Sequence, residues 1–244
     1  MGYRGNYIRN ISSTDVSGPT IMNLYLSAQN IINEKIQKDR PVKSINSWHP
    51  SKLGSCLTGA YLERLGVKPD EDFDERTLRV FSVGKMMEEW LVNLVKESGI
   101  KCEEQVRIEL PEYNVTGYAD LVVDREGQKE IYEVKSKHSK SFWYMEKKGQ
   151  GAQEQHRMQL WTYLKALNIE KGRIVYISKD DLAILEFPVL LGDIVLGDKT
   201  TTELSTLNRA WKEKLPPKPV GDLEDWRAKY CRWHKQCVNQ PKYL

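Results

Sequence analysis

The chain has 244 residues, the length of one domain of ordinary size or of one domain with a small added lobe. Hydrophobic residues make up 40% of it and charged residues 29%, a balance typical of globular proteins and far from that of disordered chains. The 34 acidic residues nearly offset the 37 basic ones, and the net charge of +3 argues against a histone-like polyanion binder while allowing a local basic groove. No apolar run reaches the roughly 18 residues that predict a membrane span.

The N-terminal residues predict a protein that stays in the cytoplasm. The apolar stretch Ile21–Leu26 is short and no small-residue cleavage site follows it, so it is not expected to be an export signal. The chain begins with Met1-Gly2, as in myristoylated proteins, but Asn6 stands where that motif requires Ser or Thr. Inside the cell the four cysteines are expected to be reduced or bound to metal, and Cys102 is expected only to pack.

The first part of the chain predicts helices. Residues 1–18 are polar and are expected to form a flexible arm. Apolar residues at helical spacing predict a helix from about Thr20 to Gln37. Ser51 is a candidate cap for a second helix that runs to about Leu65, and a third helix is predicted from Glu75 to Ser98, where Gly99 ends it.

Beyond residue 99 the apolar period changes from helical spacing to alternation, which predicts strands. The predicted strands are Gln105–Leu110, Val115–Val123, Glu130–Val134, Arg173–Ser178 and Leu182–Pro188. Between and after them we expect a basic, aromatic loop over Ser136–Gly151, a helix over Ala152–Leu167 and a partly helical segment over Leu190–Leu215. This order predicts an α/β fold, an α+β mixed sheet flanked by helices. Residues 19–244 are expected to form a single domain with a helical part at 19–98, a catalytic core at 99–190 and a C-terminal helix and cysteine segment at 191–244.

Charged residues interrupt two of the predicted strands. Asp120 ends the segment Gly117–Asp120 in an otherwise apolar strand, and the next strand carries Glu133 and Lys135. Strand alternation places Glu133 and Lys135 on one face, and a short turn brings Asp120 beside them. Carboxylates of this kind suit Mg²⁺ or Mn²⁺, which can activate a water for attack on a phosphodiester, while Lys135 orients that water, helps to deprotonate it or holds the phosphate. Two carboxylates at a solvated sheet edge with a surface lysine would give the same short pattern.

Two helices carry further candidates. Glu88 lies among apolar residues of the third helix, so it either points inward as a further metal ligand or lies exposed beside the next acid. The helix after the basic loop carries Gln159 and Tyr163 at a spacing that places both on one face, with His156 and Arg157 one turn earlier. An ordinary amphipathic helix would show the same spacing.

The order Gly84-x3-Glu88, Gly117-x2-Asp120, Glu133-x-Lys135 and Gln159-x3-Tyr163 resembles that of the PD-(D/E)xK nuclease superfamily. The branch that it resembles most is the RecB-type one, which includes phage exonucleases and CRISPR-adaptation nucleases. The resemblance covers about residues 50–237 and implies a restriction-endonuclease-like core with metal-dependent DNA nuclease activity. It also implies that Asp120, Glu133 and the Val134 carbonyl bind the metal, that Lys135 is catalytic, and that Gln159 and Tyr163 support the site and the DNA strand. Many relatives have His where this chain has Glu88, and Ala119 replaces the proline of the literal motif.

Part of the RecB-type group binds an iron–sulfur cluster through one cysteine in an N-terminal Ser-x4-Cys helix and three in a C-terminal C-x2-C-x5-C segment. Cys56 follows a serine at that spacing, and Cys231 and Cys237 match the last two positions, but Ala228 stands at the expected third position. The chain therefore offers three of the four usual thiolates. Three interpretations stay open: a cluster with three protein ligands, a Cys3His zinc site that adds His234, and cysteines that only pack.

Basic and aromatic residues alternate in the expected loop and at the start of the following helix. Basic groups contact phosphates, and aromatic rings stack on unpaired bases. The candidate DNA-binding residues are Lys137, Lys140, Phe142, Trp143, Tyr144, Lys147, Lys148, His156 and Arg157. A solvated lysine surface with its aromatic rings in the core is the alternative interpretation.

Together these observations predict an Mg²⁺- or Mn²⁺-dependent deoxyribonuclease. Exonuclease action on ends or single strands is favoured, because the sequence shows no additional segment for reading base sequence. The alternatives are a structure-specific endonuclease on flaps or branches, and a non-catalytic DNA-binding subunit of a recombination or CRISPR-adaptation complex. The expected partners are DNA and separate helicase, recombinase or other DNA-processing proteins, with no membrane.

Overall fold

The computed structural model describes residues 46–218, 225, 227 and 230–239. The predicted arm at 1–18, the predicted helix at 20–37 and Ala228 lie outside the described residues. The helices are α1 (Leu57–Arg64), α2 (Glu75–Glu97), α3 (Ser139–Lys147), α4 (Glu154–Leu167), α5 (Ile194–Glu213) and α6 (His234–Asn239). The strands are β1 (Cys102–Leu110), β2 (Val115–Arg125), β3 (Gln128–Lys137), β4 (Lys171–Ser178) and β5 (Ile184–Leu190). Within the described part of the chain, no helix is both long and apolar enough to cross a membrane.

The five strands form one mixed sheet in the order β1-β2-β3-β4-β5. The pairs β1–β2, β2–β3 and β4–β5 are antiparallel, whereas β3 and β4 are parallel. A parallel pair needs a crossover connection, which α3 and α4 supply between β3 and β4. The predicted mixed sheet flanked by helices is confirmed.

Each face of the sheet is covered by a different helix. Alternate residues of β3 point to opposite faces, so Ile131 joins the main core while Val134 joins a smaller cluster. The main core includes buried residues of α4, namely Met158, Leu160 and Leu164. The other face packs against α2 through two apolar clusters. The first consists of Val92, Leu121 and Val123, and Cys102 packs against it as expected. The second consists of Val134, Val175 and Ile177, and Met87 and Leu91 pack against it. Polar residues of the sheet that lie between α2 and α4 are therefore shielded from solvent on both faces.

Helix α1 begins later than its sequence predicts. Pro50–Lys52 forms a single 3-10 turn, and the α-helix begins at Leu57 rather than after Ser51. Gly54 separates the two with a φ of 68°, and its N–H donates to the Glu203 carboxylate at 2.7 Å. A Cβ at Gly54 would lie 2.9 Å from a Gln155 backbone atom, so the chain turns here against α4 and cannot continue as a helix.

The expected loop over Ser136–Gly151 is also corrected, because most of it is helix α3 and strand β3 runs on to Lys137. The imidazole of His138 caps the helix by accepting the N–H of Lys140 at 3.2 Å. Phe142 and Met145, three residues apart, lie on one helix face and are buried in the core. The basic and aromatic residues that remain exposed are therefore held on a packed helix.

Candidate active site

Asp120 lies at the point where the pairing between strands β2 and β3 ends. The ladder between these strands runs from the pair Arg125–Gln128 to the pair Leu121–Tyr132, and Asp120 is the next residue beyond it. Its Oδ2 accepts the backbone N–H of Val134 at 2.9 Å. A side-chain carboxylate thus takes up a backbone donor of β3, which fixes Asp120 beside Glu133.

Gly117 is needed for close packing next to this point. A Cβ there would lie 3.2 Å from Pro50 Cδ and 3.5 Å from Tyr163 Cε1. The first distance is tighter than ordinary van der Waals contact, so a larger residue would push the Pro50 turn or α4 away from β2. The glycine of the Gly117-x2-Asp120 motif therefore has a packing role.

Glu133 is the most deeply buried charged residue of the site, with 0% of its surface exposed. Its Oε1 accepts a hydrogen bond from Gln159 Nε2 at 2.6 Å and contacts the Lys135 ammonium. Gln159 Nε2 also donates to the Tyr163 hydroxyl at 2.9 Å. The second carboxylate oxygen, Oε2, is buried and has no hydrogen-bond partner among the described residues. This network holds one oxygen firmly and leaves the other available to a ligand.

Glu88 faces the same site from helix α2. Gly84, one turn earlier, would place a Cβ 3.2 Å from Ser136 Oγ, so the helix approaches β3 closely here. Glu88 is partly buried, and its Oε1 accepts a hydrogen bond from Gln105 Nε2 at 3.0 Å. The structure thus brings Glu88 to the carboxylates of the sheet. The sequence alone does not identify Gln105, since no local pattern marks it.

The electrostatics of the site reflect crowded negative charge. Burial and then the nearby Asp120 raise the pKa of Glu133 from 4.5 to about 8 and that of Glu88 from 4.5 to about 7. Burial also raises the pKa of Asp120. Burial by itself would lower the pKa of Lys135, but Glu133 and Asp120 outweigh it and raise that pKa, so the lysine stays protonated. A bound cation would relieve the repulsion among the three carboxylates.

These residues fit a hard divalent cation by their chemistry. Three carboxylates converge, and Glu133 presents an oxygen that has no protein donor. Among the described residues, however, no three His, Cys, Asp or Glu side chains are already arranged to hold a metal ion. In this arrangement Lys135 and Gln159 contact one oxygen of Glu133, and the Val134 N–H donates to one oxygen of Asp120.

Helix α3 presents an exposed aromatic pair. Trp143 and Tyr144 are 44% and 43% exposed, and their rings meet edge to face with centroids 5.2 Å apart. The Lys148 ammonium lies 5.6 Å from the centroid of the Trp143 ring, and Lys140, Lys147 and Lys148 are exposed. Phe142 is only 4% exposed and packs in the core, which corrects its prediction as a base-stacking residue.

The remaining predicted DNA-binding residues differ in their surroundings. His156 Nδ1 lies 2.7 Å from the Tyr176 hydroxyl, and burial, followed by the charge of Lys135, lowers its pKa from 6.5 to about 2. The imidazole is therefore neutral and would not contact phosphate as a cation, and a role of His156 in DNA binding stays a prediction. Arg157 forms an ion pair at 2.9 Å with Asp193, the residue that caps α5. Burial and Lys135 lower the pKa of Lys137 to about 8.

Cys56, Cys231 and Cys237 lie near one another beside helix α1, but among the described residues no three Cys, His, Asp or Glu side chains are already arranged to hold a metal ion. A hydrogen bond with Cys231 lowers the pKa of Cys56 to about 6, while burial and then the charge of Cys56 raise that of Cys237 to about 11. A Cβ at Gly59 would lie 2.7 Å from Cys231 Sγ, so this glycine makes room for the sulfur. The Nδ1 atom of His234 is buried without a hydrogen-bond partner in the described residues.

No protein-family model matches the chain, and no curated protein matches its sequence. The solved structure of SSO0001 is similar, with a TM-score of 0.59 at 21% identity, covering 89% of this chain and 98% of that one. An alkaline exonuclease from Laribacter hongkongensis, LHK-Exo, is similar with a TM-score of 0.53 at 14% identity over 70% of this chain and 90% of its own. The structure of LHK-Exo in complex with dAMP gives a TM-score of 0.54 at 14% identity over the same shares. Similarity at this level shows the fold: the chain shares its mixed sheet flanked by helices with an alkaline exonuclease.

Proposed function

We propose that this chain is a metal-dependent deoxyribonuclease of the RecB-type branch whose active site comprises Glu88, Asp120, Glu133 and Lys135. The observation that carries this proposal is the fully buried Glu133, held by Gln159 and Lys135 with its second oxygen unpartnered. A buried carboxylate oxygen without a donor destabilises a fold, so its presence beside a second carboxylate indicates a ligand. The fold shared with LHK-Exo supports nuclease activity.

Each residue of the site has a proposed role. Mg²⁺ or Mn²⁺ would be held by Asp120, Glu133 and the Val134 carbonyl, with Glu88 as a further ligand. When bound, such a metal lowers the pKa of a water and neutralises charge on the phosphate. Lys135, which the carboxylates keep protonated, orients the attacking water or holds the scissile phosphate.

Gln159 and Tyr163 have a supporting role in this proposal. The Gln159 amide donates to both Glu133 and the Tyr163 hydroxyl, so it fixes the rotamer of the buried carboxylate. Burial, followed by the charge of Glu133, raises the pKa of Tyr163 well above 10, so the hydroxyl stays protonated. Both residues therefore act by holding Glu133 in place.

DNA is the proposed substrate and the exposed face of α3 its proposed contact surface. Trp143 and Tyr144 offer rings for stacking on unpaired bases, and an exposed pair of this kind suits single strands or frayed ends. The cations that would contact phosphates are Lys137, Lys140, Lys147 and Lys148. Exonuclease action is proposed on this basis.

A cleavage assay tests the proposal. End-labelled single- and double-stranded oligonucleotides and a circular single strand are incubated with Mg²⁺, Mn²⁺ or EDTA. We expect the wild type to degrade linear DNA only with metal, and Lys135→Ala to lose roughly 100-fold or more of the rate while still binding DNA. Lys129→Ala is the matched control, because this exposed lysine lies at the other end of β3.

Two other results would change the conclusion. Cutting of the circular strand would replace exonuclease with structure-specific endonuclease action. If neither metal supports cleavage while DNA still binds, the nuclease proposal is wrong and a non-catalytic DNA-binding subunit takes its place.

The cysteine group adds a proposal for a second metal. Cys56, Cys231 and Cys237 would hold an iron–sulfur cluster or, together with His234, a zinc ion. The buried and unpartnered Nδ1 of His234 favours zinc. Elemental analysis of protein purified without oxygen separates the interpretations: one zinc per chain, iron with sulfide, or no metal and cysteines that only pack.

A further inference from the structure

We propose that Gln105 is a positioning residue that holds the carboxylates of Glu88 and Asp120 in one arrangement for metal binding. The inference rests on the proposed nuclease function and deepens it. It is carried by two independent observations, the backbone conformation of Gln105 and the contacts of its side chain.

The backbone of Gln105 is strained at the point that faces the site. Its φ is 49°, in the left-handed region that residues other than glycine rarely adopt, and it lies in the middle of strand β1. Strand β1 pairs with β2 through Glu104–Leu121 and Val106–Ala119, so Gln105 stands opposite Asp120. The strain therefore coincides with the residue across from the catalytic carboxylate, which is where functional strain is expected.

The side chain of Gln105 binds one carboxylate of the site and stands opposite the other. Its Nε2 donates to Glu88 Oε1 at 3.0 Å, and the same side chain, which stands opposite Asp120, partly offsets the burial that raises the pKa of that carboxyl. Glu88 comes from helix α2 and Asp120 from strand β2, so the amide ties the helix to the sheet at the site. A neutral amide suits this task, because it holds two like charges without adding a cation that would compete with the metal.

A purely structural origin of the strain makes a different prediction. If the left-handed conformation were only a kink required by the strand, glycine would serve at this position as well as glutamine or better. If the amide is the reason, glycine relaxes the backbone but loses the link between the carboxylates. The variants Gln105→Gly and Gln105→Leu separate the two, since both remove the amide and only the first relieves the backbone.

The experiment measures metal affinity and stability separately. Metal-free protein is titrated with Mn²⁺ by calorimetry, and unfolding by urea is followed in EDTA. We expect Gln105→Gly to be at least as stable as the wild type and Gln105→Leu to be less stable. Both are expected to bind Mn²⁺ roughly 10- to 100-fold more weakly, the usual effect of losing a partner of a ligating carboxylate.

Glu126→Gly is the matched control, because Glu126 is also left-handed, with a φ of 54°, but lies in the turn between β2 and β3. It should keep the wild-type Mn²⁺ affinity. If the wild type cleaves DNA and Gln105→Gly binds Mn²⁺ as tightly as the wild type does, the positioning role is wrong but the proposed function stands. A wild type that neither binds Mn²⁺ nor cleaves DNA would overturn the proposed function and this inference together.

Discussion

The protonation of Glu133 is expected to govern the stability of the metal-free protein. Its pKa of about 8 in the folded state lies above the ordinary 4.5, so between these values the folded chain binds a proton that the unfolded chain releases. Stability therefore falls as the pH rises through this window. At about 1.4 kcal/mol per pKa unit, we expect a loss on the order of 2–4 kcal/mol between pH 5.5 and 8, measured by urea unfolding in EDTA. Glu133→Gln should reduce the slope without abolishing it, because Glu88, whose pKa is raised to about 7, contributes in the same sense.

The comparison must isolate Glu133 from other titrating groups. Cys56, with its pKa lowered to about 6, changes stability in the opposite sense as the pH rises, and this contribution is common to wild type and variant. Glu112→Gln, at an exposed position, serves as the control and should keep the wild-type slope. Parallel pH dependences for wild type and Glu133→Gln would show that this carboxylate is not protonated in the folded chain.

Single residues differ in how far the sequence can predict them. The alternation of β3 was enough to place Glu133 and Lys135 on one face, because side-chain direction in a strand depends only on spacing. Gln105 could not be found in this way, since its importance depends on standing opposite Asp120 in the register of β1 with β2. Its strain is likewise a property of the assembled sheet and has no signature in the neighbouring residues.

At the scale of elements, helix α3 shows how one segment divides its aromatic residues between core and surface. We expect Trp143→Ala to weaken binding of a single-stranded oligonucleotide by about 1–3 kcal/mol without lowering stability, because its ring is exposed. Phe142→Ala should instead destabilise the fold by about 3–5 kcal/mol, because its ring is buried. Fluorescence anisotropy measures the first effect and urea unfolding the second.

The two neighbouring positions are controls for each other. A Trp143→Ala protein with unchanged affinity for the oligonucleotide would remove α3 from the proposed DNA surface. A Phe142→Ala protein as stable as the wild type would contradict its place in the core. Both measurements are made at one salt concentration, since affinity for DNA varies steeply with salt.

The boundaries of elements were less predictable than their existence. Helix α2 and the strands follow apolar periods that the sequence shows directly. The sequence of helix α3 predicts a loop, because its charged and aromatic composition hides the spacing of Phe142 and Met145. The start of α1 depends on Gly54, whose turn is imposed by α4 and by Glu203, both far away in the chain.

At the scale of the whole molecule, the segment around α6 is fastened to the connection between α1 and α2. Trp233 Nε1 donates to the Val67 carbonyl at 2.9 Å, and Gln236 Nε2 donates to the Lys68 carbonyl at 2.8 Å. The Asp70 N–H donates to the Arg232 carbonyl at 2.9 Å, and its carboxylate accepts the Lys235 N–H at 2.7 Å. These partners are more than 160 residues apart, so no local pattern predicts their meeting. Because this contact joins the segment around α6 to the connection that follows α1, it brings Cys231 beside Cys56.

Trp233 is expected to hold this contact together. Its side chain is 4% exposed and packs against Gly59 of α1, so Trp233→Ala should lower the free energy of unfolding by about 3–5 kcal/mol. Trp233→Phe keeps most of the ring but loses the hydrogen bond to Val67, so a loss of about 1 kcal/mol is expected. Urea unfolding in EDTA gives both values, and Lys235→Ala, which removes an exposed ion pair with Glu71, should change little.

Thiol reactivity tests the same contact without unfolding the protein. Cys237 is 3% exposed in the intact contact and should react slowly with a thiol reagent, whereas loosening the segment in Trp233→Ala should speed the reaction. Lys235→Ala should react like the wild type. If Trp233→Ala kept both the wild-type stability and the wild-type thiol protection, Trp233 would not be what holds the segment, and the cysteines would have to be kept together by the metal proposed for them.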